Sequence, residues 1–463
     1  MYVAETKSNA LKWVNNCSRR LGKSFKMCLQ AIEICRQIPF GQARLIAPTQ
    51  KQMRGITQPL IRQILRDCPE ELKPVWKQQD ALWHFPGTDA QLHVAGANNG
   101  HEDDSRGTEA HWIGIDEPGQ IDKLRYLIAD VLMPQLLTVR HISDGRFGKL
   151  SISGTPPPTP AHEFADIAQE AQSGKTYSEF NIFSAGYSQK IIDLFRQEAN
   201  GRSWKPGDPD STTWLREYLC QFVVDKNLAL VPEWKDTYIV DWPRSEFFRF
   251  YHLYNGMDLG VSDFTVCLFG YYDFKNARLV IEDEVVMNGP QMTTPLLAKA
   301  IQDRRLKLWP KADTEPPAAR DVFRAVADND NPLLLNDLAS LHKLNFAPVV
   351  KDSLNAMVNA MRVLVSSERL VVHPRCTQLI GCLRYGVWHD LKRKKWLNSG
   401  PDKFGHFDAL AALMYLIRNL DMQTNPIPST LGLTEADHFI APEVARTQKE
   451  NAIRQIAGLR RDG

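Results

Sequence analysis

The sequence predicts an α/β protein built as two successive sheet-and-helix units, and three observations carry that expectation. Residues 11–154 alternate short apolar strands with helical stretches, the pattern of a parallel sheet covered by helices. A second pattern, opening with a hairpin and returning to strand–helix alternation, begins near Phe250. At roughly 150 residues per domain, a chain of 463 residues has room for two or three such units.

Composition agrees. A hydrophobic share of 43% with 24% charged residues lets each unit build a core, which excludes a disordered chain. Lys plus Arg number 56 and Asp plus Glu 54, for a net charge of +2, so any nucleic-acid surface has to be local. The eight cysteines are scattered without a CxxC pair, and the residues before Ala10 hold no apolar core of leader length. No apolar run is long enough to span a bilayer. The expectation is a soluble protein with reduced thiols.

The elements follow in order. Strands are expected at Leu11–Asn15, Ala43–Ala47, Gln91–Ala95, Trp112–Ile115 and Lys149–Ser153, with helices such as Ser24–Arg36 and Lys51–Cys68 between them. Residues 161–222 read as mainly helical, a lid broken by the turn-rich run Gly201–Thr212. The first unit is therefore placed at 1–225 and a proline-bearing linker at 226–249. The second unit, 250–422, has strands at Tyr251–Met257, Phe264–Tyr272, Arg278–Met287, Val322–Ala327 and Phe346–Val350. It also has a helix at Gln291–Arg305, a surface insertion at Trp309–Arg320 and a nearly all-apolar helix, Asp408–Leu420. Residues 423–463 read as a tail.

Cys17-Ser18-Arg19-Arg20-Leu21-Gly22-Lys23-Ser24 lies between a strand and a helix, the setting a phosphate-binding loop requires. Backbone N–H groups at the helix start would cradle the phosphates of ATP, with Lys23 on the β/γ oxygens and Ser24 on Mg²⁺. Arg19, Arg20 and Gly22 complete the loop, and Cys17 stands where the general pattern has Gly. Trp112-Ile113-Gly114-Ile115-Asp116-Glu117 is an apolar strand ending in two acids. Asp116 would hold Mg²⁺ and Glu117 would orient the attacking water. Thr155, in Ser153-Gly154-Thr155-Pro156, either senses the γ-phosphate or is only a turn residue. Phosphoryl transfer needs a cation on the transferred group, and Arg19 or Arg106 could supply it.

The second unit carries a different chemistry. Asp258 ends a β-run beside Gly256 and Gly260, Asp328 ends another, and Asp408 opens the apolar helix. Two strand-end aspartates and one helix-borne aspartate are what an RNase H-like sheet converges on two divalent metals, Mg²⁺ or Mn²⁺. Singly, Asp408 fits a helix N-cap, Asp258 a turn residue, and Asp328 competes with Asp330. Asp263 could assist the metal site. Glu282 and Glu284 lie on one face of their strand by its period of two, and a solvent-facing strand is the expectation. Leu391-Lys392-Arg393-Lys394-Lys395-Trp396 is either a phosphate-gripping basic hairpin or a solvated turn.

Together these motifs resemble the large terminase subunit of tailed bacteriophages over roughly residues 11–420. The loop Ser18–Ser24 looks like that family's phosphate loop, which tolerates loss of the first Gly and carries an Arg. Ile46-Ala47-Pro48-Thr49 resembles the strand and turn after it, and the Asp116-Glu117 and Ser153–Pro156 segments its Mg²⁺/base and coupling motifs. Glu217-Tyr218-Leu219-Cys220 is similar to a signature near the end of the family's ATPase region. Gly256–Gly260, Ala327-Asp328-Asn329 and Phe407–Leu410 resemble the three nuclease motifs, favouring Asp328 over Asp330, and Val371–Cys376 a subgroup segment. The stretch before Lys23 is short for the family's adenine-contacting motif.

The resemblance implies an ATP-driven motor that packs double-stranded DNA into a preformed capsid, and a nuclease that cuts the replicated concatemer. It implies a portal protein and a small terminase subunit as partners, a ring commonly of five, and work in the host cell cytoplasm during assembly, with no membrane. In such a ring Arg106 would act in trans and Arg19 in cis. A helicase–nuclease of repair or recombination is the alternative, but it needs a second RecA-like domain, and only one phosphate-loop pattern is present. An assembly component with one vestigial site is a further rival; every motif acid and Lys23 is retained.

Overall fold

A computed structural model describes residue 5 and residues 8–98, 109–137, 148–260, 264–312, 314–349, 353–397, 399 and 403–428. The first unit opens with β1 (Lys12–Cys17), α1 (Lys23–Gln37), β2 (Gln42–Ala47) and α2 (Gln50–Ile64). Next come β3 (Val75–Lys77), β4 (Leu82–Phe85), β5 (Ala90–Gly96) and β6 (Trp112–Asp116). After a helical run from Leu124 to Leu137 it continues through β7 (Lys149–Gly154), α3 (Glu163–Ser173), β8 (Tyr177–Phe180) and α4 (Gln189–Asn200).

The eight strands form one sheet in the order β3-β4-β5-β2-β6-β7-β1-β8. From β5 to β8 every pairing is parallel, and β7 stands between the loop-bearing β1 and the acid-bearing β6. That insertion is the RecA/ASCE-like arrangement of a phosphate-loop sheet. A buried parallel sheet needs apolar residues on both faces. Accordingly, Leu45 and Ala47 of β2 pack with Met27 and Ala31 of α1 and Met53 of α2, while Ile46 packs with Ile113 and Phe164 on the other side. Thr49 and Gln52 cap α2 reciprocally: the Thr49 side chain accepts from Gln52 N at 3.2 Å, and Gln52 Oε1 from Thr49 N at 3.1 Å.

Two elements depart from the sequence reading. Tyr177–Phe180, expected to be helical, is a strand that extends the sheet beyond β1, with Trp13 Nε1 donating to Ser178 Oγ at 3.1 Å. The β3–β4 hairpin carries no turn signal strong enough to read.

The second unit holds β9 (Leu253–Asp258), β10 (Phe264–Asp273), β11 (Arg278–Asn288), α5 (Thr294–Leu308), β12 (Arg324–Ala327) and α6 (Pro332–His342). These are followed by β13 (Ala347–Pro348), α7 (Leu354–Ser366), β14 (Leu370–Val372), α8 (Thr377–Tyr385) and α9 (Asp408–Arg418). Its sheet runs β13-β12-β9-β10-β11-β14, antiparallel across β9, β10 and β11 and parallel elsewhere, the order of an RNase H-like sheet. Helices α7, α8 and α9 cover one face, and α5 and α6 the other. Gly256 lets α9 approach: a Cβ there would sit 2.4 Å from the Ala412 carbonyl oxygen.

The stretch expected to be a linker packs into this second core. Leu230, Val231 and Tyr238 are buried there, Leu230 N donates to Gly386 O at 2.8 Å, and Ile239 bridges to Val372. Trp309, read as the start of a surface insertion, is buried, and its indole N–H donates to Glu282 at 2.6 Å.

Glu282 and Glu284 correct the expectation of a solvent-facing strand; both are buried. The register steps from Phe269↔Asp283 to Gly270↔Ile281, so Glu282 is the extra residue of a β-bulge and the alternation breaks there. Glu282 pairs with Arg244, whereas Glu284 accepts the backbone N–H groups of Gln378 (2.7 Å) and Leu379 (3.0 Å) at the start of α8. Burial pushes the Glu284 carboxyl up to about 7. The folded state thus keeps a proton that the unfolded chain releases above about pH 4.5, so stability falls as pH rises from there to about 7. Glu284→Gln is expected to gain about 2 kcal/mol relative to wild type between pH 5 and pH 7. Urea unfolding at the two pH values checks this; an equal pH dependence in both proteins would count against it.

Candidate functional site

The phosphate loop is shaped by two left-handed residues, Arg20 (φ 64°) and Gly22 (φ 77°), the latter capping α1. The glycine takes that conformation without strain, so the chain turns from β1 straight into the helix. No acidic residue occupies the first turn of α1 and no side chain caps it, which leaves its N–H groups directed at the loop.

Lys23 is buried at 6% exposure, with Nζ 3.4 Å from Cys17 O, 3.3 Å from Ser18 O and 3.6 Å from Glu117 Oε1. Ser24 Oγ donates to Asp116 Oδ2 at 2.7 Å. Two hard oxygen donors side by side are the chemistry Mg²⁺ takes, so the pair fits that ion. Burial first, then the neighbouring Glu117, pushes the Asp116 carboxyl up to about 6, which still leaves it ionised at neutral pH. Glu117 has φ 51°, which turns it away from β6, and its Oε2 accepts from Thr155 Oγ1 at 3.2 Å. Loop, acid pair and Thr155 thus meet at one end of the sheet.

The sequence reading missed how the loop is clamped. Glu217 O accepts from Arg19 N at 3.0 Å, and the Glu217 carboxylate pairs with the Arg19 side chain. Cys220 O accepts from Asn16 Nδ2 at 2.8 Å. The Glu217–Cys220 signature therefore grips the phosphate loop from the far side. Arg216, next to it, has its guanidinium 2.9 Å from Glu217, 3.0 Å from Asp225 and 3.5 Å from Pro156 O. Neither role is visible in one dimension, because the partners lie far apart along the chain. The Arg19 side chain is 63% exposed and remains reachable. Arg106 lies outside the described residues.

In the second unit, Ala327 pairs with Met257 in parallel register, and Asp328 N donates to Met257 O at 3.2 Å. Asp328 and Asp258 are consequently neighbours at the ends of adjacent strands. Helix α9 runs antiparallel to β9, since Asp421 N donates to Tyr254 OH (3.2 Å) beyond its C-terminus while Ala412 lies against Gly256. Asp408 precedes Ala412 by about 6 Å of helix rise, and Asp258 follows Gly256 by about 7 Å of strand, so both reach the same level. Tyr415, two turns after Asp408 on the same helix face, donates its hydroxyl to Asp328 Oδ2 at 3.3 Å. Burial, then the charges of Asp258 and Asp328, raise the Tyr415 hydroxyl above the ordinary range. An apolar helical run hid this tyrosine from the sequence reading.

The oxygen-rich donor chemistry suits a divalent ion. Among the described residues, however, no group of three or more His, Cys, Asp or Glu stands close enough together to hold one. Asp408 is the first residue of α9, after Phe407 in the left-handed N-cap position. Asp263 lies outside the described residues. Lys392, Arg393, Lys394 and Lys395 are all exposed on the turn closed by the Trp388–Trp396 bridge. None of the eight cysteines forms a disulfide, and all but Cys68 are buried. No described helix is long and apolar enough to cross a membrane.

No protein-family model matches the sequence, and no curated protein does. Solved structures of large terminases do. One, from a thermophilic bacteriophage, is 14% identical and matches over 89% of this chain and 94% of its own, with a TM-score of 0.37. The HK97 bacteriophage large terminase is 12% identical over 88% and 91%, with a TM-score of 0.48. The nuclease domain of the bacteriophage SPP1 large terminase, solved with bound Mn, is 19% identical over 39% and 91%, with a TM-score of 0.28.

Proposed function

We propose that this chain is the large subunit of a phage DNA-packaging motor, an ATPase that drives double-stranded DNA into a procapsid and a metal-dependent endonuclease that cuts the concatemer. The observation that carries the reading is the buried Lys23 facing Glu117 beside the Ser24–Asp116 pair. The motor would assemble as a ring, commonly of five, on the portal protein with a small terminase subunit as partner. Residues 1–225 would form the ATPase and 250–422 the nuclease.

In this mechanism Lys23 exchanges Glu117 for the β/γ oxygens of ATP, which frees the Glu117 carboxylate to orient a water molecule. Arg19 leaves Glu217 for the same oxygens in cis, and Arg106 of a neighbour acts in trans. Thr155, bonded to Glu117, responds to the presence of the γ-phosphate. Ser24 and Asp116 would hold Mg²⁺, which neutralises phosphate charge when bound. Asp258, Asp328 and Asp408 would hold Mg²⁺ or Mn²⁺ in the nuclease half, where the ion supplies Lewis acidity at the phosphodiester. Tyr415 fixes the Asp328 carboxylate, and the exposed cations of the 392–395 turn bind phosphates without reading sequence.

The test is ATP turnover with and without duplex DNA, beside DNA cutting with and without chelator. Wild type is expected to show DNA-stimulated hydrolysis and chelator-sensitive cutting. Glu117→Ala is expected to lose about 10²-fold or more of the hydrolysis and to cut normally. Wild-type protein that hydrolyses no ATP, or a Glu117→Ala protein as fast as wild type, overturns the reading.

A further inference from the structure

A cavity of about 300 Å³ beside the nucleotide site has walls from segments that flank the two sheets: Glu117, Thr155 and Arg216 on one side, Leu228, His389 and Leu397 on the other. His389 and Leu397 are the two feet of the turn that carries Lys392–Lys395. His389 N donates to Lys395 O at 3.0 Å and Leu397 N to Val387 O at 3.0 Å. The base of the cationic turn thus borders the nucleotide site, while its tip is exposed.

The two are also joined by unbroken polar contacts. Thr155 is followed by Pro156, whose carbonyl accepts from Arg216, and Arg216 holds Asp225 at 3.0 Å. Asp225 is buried and ties down the next bend: its Oδ1 accepts from Asn227 N (3.0 Å), and its carbonyl from Leu228 N (3.0 Å) and Ala229 N (2.9 Å). From there Leu228 O accepts from Trp388 N at 2.7 Å, and Asn227 O from Arg393 at 3.4 Å. Arg216 suits this post because its planar fork bonds a carbonyl and a carboxylate at once in a fixed geometry.

We propose that Arg216 and Asp225 are positioning residues that couple the nucleotide site to the 388–397 turn. Triphosphate at Thr155 then changes how Lys392–Lys395 meet a phosphodiester polyanion, and a polyanion on the turn changes ATP turnover. The two effects are reciprocal, as linkage requires. The proposal rests on the ATPase reading above and adds to it a route by which DNA reaches the hydrolytic centre.

Spatial continuity alone does not demonstrate coupling, so the test measures the coupling itself. In the full chain, Asp225→Asn keeps the shape and the acceptor for Asn227 N but removes one of the two carboxylate charges facing Arg216, leaving that of Glu217. Its basal ATP turnover is expected to stay within about twofold of wild type, while stimulation by duplex DNA falls at least about fivefold. In wild type a slowly hydrolysed ATP analogue is expected to shift the Kd for duplex DNA, and in Asp225→Asn that shift is lost. Arg216→Lys, which keeps the charge, should retain part of both effects. Combined with Lys394→Ala, Asp225→Asn should lower stimulation no further than Lys394→Ala does alone. Wild-type stimulation in Asp225→Asn, an unchanged analogue effect, or full additivity overturns the proposal while leaving the ATPase reading intact. Wild-type protein without any hydrolysis fails that reading first, and this proposal with it.

Discussion

Lys23→Ala is expected to lower ATP turnover by at least about 10²–10³-fold while leaving DNA cutting within about twofold of wild type. The size follows from the site. Lys23 is buried at the start of α1, its ammonium held by two loop carbonyls and Glu117. A charge already desolvated and aimed acts on phosphate oxygens without reorganising water, and no other cation stands in that position among the contacts described. Removing it frees Glu117, whose side chain is 31% exposed and can hydrate, and leaves the buried Asp116 carboxyl, bonded to Ser24, able to take up a proton in place of the lost cation. The fold should therefore survive, which a thermal melt would verify. Lys23→Arg is not expected to rescue, since a guanidinium is too wide for a pocket floored by the Cys17 and Ser18 carbonyls. Turnover of either variant at the wild-type rate would remove the loop from the mechanism.

Asp258→Asn carries the second large effect. The substitution preserves shape and removes one negative charge from the pair formed with Asp328. Cutting supported by Mg²⁺ or Mn²⁺ is expected to fall about 10³-fold or more, because carboxylate ligands hold hard cations chiefly by charge. ATP turnover should stay within about twofold, the residue lying on the other sheet. Asp328→Asn and Asp408→Asn should act in the same direction. Cutting by wild type that continues in excess chelator would exclude a metal centre, and full activity in Asp408→Asn would restrict the ligands to the two strand-end aspartates. The latter outcome matters because Asp258 and Asp328 are adjacent by register, whereas Asp408 reaches their level from a helix.

Local signals explain what was legible in the sequence. Gly22, Lys23 and Ser24 form a contiguous run whose setting, strand before and helix after, can be read directly. Asp116 and Glu117 end an apolar strand, and Asp258, Asp328 and Asp408 end or open regular elements. What stayed hidden depends on contacts between distant segments. The Arg19–Glu217 pair and the Arg216–Asp225 pair are created by the fold, and no spacing rule announces them. The four-residue β8 lacks an alternating pattern long enough to compete with the helical stretches around it. Glu282 and Glu284 misled because alternation assumes an unbroken pleat and one wet face. The bulge removes the first condition, and α5 and α8 remove the second. Tyr415 is one polar atom on a helix that otherwise reads as core.

The segment from Ala229 to Val240 has one more implication, for modularity. It leaves the first sheet, yet supplies Leu230, Val231 and Tyr238 to the second core and adds a bridge beside Val372. A cassette exchanged between relatives at residue 250 would arrive without its own floor. The natural seam for recombination lies upstream of Ala229, where the chain has just passed Asp225, so the second sheet and the strap beneath it are expected to be inherited as a single piece.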